Sequence, residues 1–179
     1  VFDRVIGLRV VSIAAERVAG RIDMRPDLVG HFAYRRLHGG VISTGLDAMA
    51  GLAIMAALGA RHMDETVAQR LARFARLGTI ELRVDFLRPA IGDRFDLSAE
   101  VMRIGSRVAS ARMEFRGADG ALLSTGAPRL EILRRELNLE ELRRPALDKG
   151  LDPNQVLAGY LALDKGDITV EQVLHALEI

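Results

Sequence analysis

Asp47 is the one charged residue between Gly39 and Ala60, in a run that reads GGVISTGLDAMAGLAIMAALGA. The spacing of its apolar residues predicts a helix starting near Gly39 and ending by Gly59. No basic residue stands within a helical turn of that carboxylate. Burying an unpaired carboxylate costs several kcal/mol or forces it to take a proton. A carboxylate kept in such a place is a candidate general base or nucleophile. At the start of the same helix stand Gly39 and Gly40. A helix N-terminus leaves amides unpaired and carries partial positive charge. Glycine lets a ligand approach that backbone closely, so the Gly39 amide is a candidate oxyanion donor. His38, just before it, can hydrogen-bond a substrate carbonyl or hold the loop. Together these residues describe attack on a carbonyl group.

Their separation adds a condition. Eight residues of helix rise roughly 12 Å, whereas a base and an oxyanion donor must both lie within a few Å of one carbonyl. One helix cannot do both jobs. Two copies packed antiparallel about a two-fold axis can, with Asp47 of one chain near Gly39 of the other. The expectation is a homodimer, or a dimer of dimers, with the site between subunits.

The elements around this helix follow from periodicity. Residues 7–14 and 17–24 are short β-branched runs flanking Ala15 and Glu16, a hairpin pattern. Pro26 and Gly30 interrupt the chain before the helix. Residues 64–78 predict a second, short helix. Asp64 is its candidate cap, Val67, Leu71 and Phe74 share its inner face, and Arg70, Arg73 and Arg76 point to solvent. Then Ile80, Leu82, Val84 and Phe86 alternate with polar residues, the period of a strand with one buried face, ended by Pro89. Phe95 to Val101 and Ala109 to Phe115 repeat the pattern, and Ala118-Asp119-Gly120 predicts a turn into a further strand. A helix apolar on nearly every side must be enclosed. The economical solution is an α+β hotdog fold, a curved antiparallel sheet wrapped around the long helix, over residues 1–134. In residues 135–179, ALDKGLDPNQVL is echoed by ALDKGDITVEQVL, and Pro153 and a Thr169/Gln172 capping box start two predicted helices. This tail is expected to form a C-terminal helical extension on the domain or a partner subunit.

Composition narrows the function classes. The 179 residues carry 25 basic and 24 acidic side chains, a balance that argues against a nucleic-acid binder acting through bulk charge. There is no cysteine, which removes disulfides and thiol chemistry. His31, His62 and His175 lack metal-ligand spacing, so neither a metal nor another cofactor is expected. The helix could span a membrane by length, but Asp47 and the amphipathic strands favour a core helix and no membrane insertion. No signal-peptide pattern is present, so a cytoplasmic protein is expected, with a few residues preceding Val1.

The segments LHGGVISTGLDAMAGLA, LGTIELRVDFLRPA and RIGSRVASARMEFRGADGALLSTG occur in an order that resembles the PaaI-like hotdog acyl-CoA thioesterases, nearest the bacterial medium- and long-chain enzymes. The resemblance spans about residues 4–133. It implies hydrolysis of an acyl-CoA thioester. Gly39 would donate to the thioester oxygen, Asp47 would activate water or attack directly, and His38 would orient the acyl group. Gly40 and Arg88 would line the substrate, and Gly105, Ser106 and Arg107 would form a turn beside the coenzyme A phosphates and pantetheine arm. Arg88 stands where some relatives place a serine that orients water, and His31 or Phe32 where many have an asparagine. The alternative from another class is a non-hydrolysing acyl-CoA sensor or binding module.

Overall fold

The computed structural model of the chain describes residues 2–132, so the C-terminal helical extension expected over 135–179 lies outside the described residues. A short helix α1 (Phe2–Ile6) leads into the predicted hairpin, β1 (Arg9–Ile13) and β2 (Arg17–Asp23). Pro26 opens a 3-10 turn, followed by a two-stranded ladder of β3 (Val29–His31) and β4 (Arg36–Leu37). Then come α2 (Gly39–Arg61), α3 (Val67–Phe74), β5 (Leu77–Phe86), β6 (Arg94–Ile104), β7 (Val108–Gly117) and β8 (Leu122–Ile132). Six strands form one antiparallel sheet in the order β1-β2-β6-β7-β8-β5. The predicted turn at 118–120 joins β7 to β8, with Gly120 at φ +81°, a value that favours glycine.

The core is the contact between α2 and the inner face of this sheet. Ile42, Leu46, Met49, Ala53 and Ile54 pack on Val18, Ile22, Phe95, Leu97, Met113 and Phe115, and Phe95 stacks on Phe115 with ring centroids 5.3 Å apart. Gly45 brings the helix down onto the sheet, since a Cβ there would sit 2.8 Å from Leu97 Cδ2. Among the described residues α2 is the one helix long and apolar enough to cross a membrane; 56% of its most apolar window is buried against the sheet, as in a core helix. This is a hotdog fold.

Three expectations are corrected. The first concerns α2, which is not enclosed on every side. Ser43, Thr44, Asp47, Ala48, Gly51, Leu52 and Met55 form a half-buried stripe, because the sheet covers one side of the helix only. The second concerns α3, whose cap is Thr66 rather than Asp64. The Thr66 hydroxyl accepts from the Gln69 amide and the Gln69 side chain accepts from the Thr66 amide, a reciprocal capping box. Arg73 turns back onto Glu65 instead of pointing freely to solvent, and that hydrogen bond holds the Glu65 carboxyl below its ordinary value of 4.5. The third concerns β5, where a bulge between Thr79 and Glu81 breaks the alternation. Ile80 is the extra residue and is 57% exposed, while Thr79, Leu82, Val84 and Phe86 share the inner side. Being on an edge strand that α2 only partly overlies, Leu82 and Phe86 remain exposed.

Candidate active site

Two backbone hydrogen bonds aim the start of α2. Leu37 N–H donates to Ala90 C=O at 2.9 Å, and His38 N–H donates to Leu28 C=O at 2.8 Å. His38 is the N-cap, with φ −67° and ψ 133°, and its Nδ1 accepts from the Gly40 amide at 2.9 Å. In a neutral imidazole this leaves the proton on Nε2. Of the two roles open to His38 in the sequence, holding the loop is the one visible in this geometry. The Gly40 amide is thereby occupied. No described residue accepts from the Gly39 amide, and a Cβ at Gly39 would meet the Phe86 ring at 3.4 Å. A free amide at a helix N-terminus therefore stands close to the end of β5.

Gly39 borders a cleft of about 410 Å³. Leu37, Ile42, Phe86, Leu87, Pro89 and Ala90 give it apolar walls, and Arg36 and Arg88 are its charged lining residues. The turn out of β5 is held by the amides of Leu87 and Arg88, both donating to Leu123 C=O at 2.9 and 3.0 Å. Of His31 and Phe32, the two residues standing where many relatives have an asparagine, Phe32 is 89% exposed and stacks on His31 with ring centroids 5.8 Å apart.

Asp47 lies two turns along α2, outside this cleft. It is half-buried rather than enclosed, and it is not without a partner: the Thr79 hydroxyl donates to Asp47 Oδ1 at 2.9 Å. The β5 bulge makes this contact. Without the extra residue at Ile80, Thr79 would point away from the face that Leu82, Val84 and Phe86 share. Sequence reading missed Thr79, since strict alternation puts it on the outer face. A hydroxyl does stand beside the carboxylate, but it comes from position 79 and not from 88.

The turn Gly105-Ser106-Arg107 lies far from Gly39 within one chain. It joins β6 to β7 at the end of the sheet where Ile132 N–H donates to Arg107 C=O at 2.7 Å and where Ile132 pairs with Leu77, the first residue of β5. The Gly39 cleft is at the other end of β5, beside Phe86. The single chain thus assembles His38, Gly39, Gly40 and Arg88 in one place, Asp47 and Thr79 in a second, and the 105–107 turn in a third. Among the described residues no group of histidine, aspartate and glutamate side chains could hold a metal ion.

The model of the thioesterase superfamily matches residues 34–124, from just before the His38 cap to the start of β8. The medium/long-chain acyl-CoA thioesterase YigI of Salmonella typhimurium is 37% identical over 118 residues, covering 66% of this chain and 76% of that protein. Its Escherichia coli K12 counterpart is 38% identical over 113 residues, 63% of this chain and 73% of that one. Among solved structures, a Shewanella oneidensis protein related to the thioesterase superfamily superposes with a TM-score of 0.70 at 36% identity, covering 74% of this chain and 86% of that one.

Proposed function

This chain belongs to the thioesterase superfamily, and on that premise we propose that it hydrolyses medium- or long-chain acyl-CoA thioesters at a site shared between two subunits. The observation that carries the proposal is the free Gly39 amide at one end of β5 together with the Thr79-held Asp47 carboxylate at the other. The amide accommodates the negative charge that develops on the thioester oxygen. As general base, Asp47 takes a proton from water while the water oxygen bonds to the carbonyl carbon. Collapse of the tetrahedral intermediate breaks the carbon–sulfur bond and releases the coenzyme A thiolate, which takes up a proton. As nucleophile, the carboxylate instead forms a mixed anhydride that water then cleaves. Thr79 serves either route by fixing the carboxylate's orientation.

The edge position of β5 supports the shared site. An edge strand presents unpaired backbone groups, and here Leu82, Phe86 and the half-buried stripe of α2 extend the same open face. Two β5 strands paired antiparallel about a two-fold near Leu82 would lay the Thr79 end of one beside the Phe86 end of the other. Asp47 then meets Gly39 of the second chain. The same operation carries the 105–107 turn of one chain to the Gly39 end of the other, where a coenzyme A tail would emerge.

Release of free thiol from acyl-CoAs of graded chain length, measured beside binding of the same compounds, tests the activity. Hydrolysis that rises with chain length supports the reading. Tight binding with no thiol released would instead establish the non-hydrolysing sensor.

A further inference from the structure

We infer that the β3–β4 hairpin of one subunit, through Phe32 and Tyr34, walls the acyl-chain pocket of its neighbour over Gly51 to Met55 of α2, an inference that rests on the shared Gly39/Asp47 site. Phe32 is 89% exposed and Tyr34 67%, aromatic surface with no cover in its own chain. Both rings lie on His31, with centroids 5.8 and 5.0 Å away, so they form one preformed knob. The tip is a 3-10 turn (Phe32–Tyr34) closed by the Arg35 N–H, which donates to Phe32 C=O at 3.3 Å. Arg35 has φ +46° there, an uncommon conformation for a non-glycine residue. The base of the hairpin is locked to the start of α2. His38 N–H donates to Leu28 C=O, and a Cβ at Gly30 would fall 2.6 Å from His38 Cα, so β3 lies directly against the helix N-cap.

Helix arithmetic decides what the knob meets. When two α2 helices run antiparallel with Asp47 of one beside Gly39 of the other, Ser43 lies level with Ser43. Gly51 then lies level with the chain just ahead of Gly39, which is the hairpin. It stands one turn past Asp47, roughly 6 Å along the axis. Gly51 is on the half-buried side of α2, and a Cβ there would meet nothing within 4 Å, so an aromatic ring and a substrate chain have room. Residues 51–55 carry no charge, which suits the acyl chain and not the polar arm of the thioester. Farther along, α3 lies against α2, with the Phe74 ring 3.5 Å from the Cβ site of Gly59. Asp47 to Gly59 rises roughly 18 Å, the length of about fifteen bonds of extended chain.

The protein has no cysteine, so the contact can be read by cross-linking. Phe32→Cys, Gly51→Cys and Met55→Cys are treated with a short bismaleimide, each alone and after subunits of Phe32→Cys have been exchanged with either of the others. The mixtures should give a covalent dimer and the single variants none. No cross-link in either exchanged mixture, or a chain with both Phe32→Cys and Gly51→Cys that links only within itself, would overturn the inference. The pocket is read from kcat/KM with butyryl-, octanoyl- and dodecanoyl-CoA. Each methylene that loses its apolar cover weakens binding roughly fourfold. Phe32→Ala with Tyr34→Ala should therefore lower kcat/KM about tenfold or more for dodecanoyl-CoA and less than about twofold for butyryl-CoA. Gly51→Leu, which fills the open space, should likewise reject the long chain and spare the short one. An equal loss at every chain length would make the knob a contact of the fold or the dimer and overturn the pocket. Cross-links that form as expected in a protein that releases no thiol would leave the hairpin contact standing and overturn the hydrolase reading, with chain-length dependence then read from binding of the same acyl-CoAs.

Discussion

Replacing Gly39 by proline removes one hydrogen atom from the proposed chemistry and leaves the rest of the site in place. Gly39 is the first residue of α2, the position where proline is best tolerated because its missing N–H has no intrahelical partner. No described residue uses that N–H, so the folded chain loses no hydrogen bond. The preceding residue must be extended for proline to follow, and His38 already has φ −67° and ψ 133°. Gly39 does not have a positive φ, and its Cβ site is 3.4 Å from the Phe86 ring, a tight contact that the exposed ring can relieve. The thermal midpoint should therefore stay within a few degrees of wild type. Loss of one oxyanion donor costs about 3 kcal/mol in the transition state, a fall of roughly 10²–10³ in kcat. Gly39→Ala separates the two properties of the residue, since it adds the same Cβ and keeps the amide. The assay is steady-state thiol release from one acyl-CoA by both variants, with melting curves on the same samples. A proline variant that melts like wild type and retains more than a third of its turnover would refute the oxyanion role, whereas an alanine variant as inactive as the proline one would assign the loss to the added Cβ, which blocks close approach to the backbone.

Three further outcomes follow from the same geometry. Asp47→Asn should lose at least a hundredfold in turnover while still binding acyl-CoA, and mixing it with Gly39→Pro should restore activity to about a quarter of wild type, because half the dimers are then mixed and each has one intact site; verified heterodimers that stay inactive would exclude a shared site. Thr79→Val should lower kcat about tenfold, the worth of a hydrogen bond to a charged group, whereas Thr79→Ser should approach wild type; equal losses would show that the hydroxyl does not position Asp47. Arg107→Ala should raise KM more than it lowers kcat for full acyl-CoA and matter far less for acyl-pantetheine; an equal effect on both would assign that arginine to the fold.

Local pattern was enough for several parts of this protein. The long helix, its glycine entry and its lone carboxylate were legible because helical periodicity and a single charge are properties of neighbouring residues. The hairpin before it and the strands after it were legible by the same alternation, and the distance between Gly39 and Asp47 followed from helix rise alone. Tertiary structure decided the rest. Whether an apolar stripe is covered depends on which strands end up beneath it, so the half-buried side of α2 and the exposed Leu82 and Phe86 of β5 could not be read from their own residues. The bulge at Ile80 is a property of the β5–β8 register, and it alone turns the Thr79 hydroxyl onto Asp47. The pairing of arginines with carboxylates is likewise set by cross-strand and long-range contacts. Only the folded chain therefore shows which arginines lie beside a carboxylate, as Arg21 does with Asp96 and Arg129 with Glu81, and which line the Gly39 cleft, as Arg36 and Arg88 do.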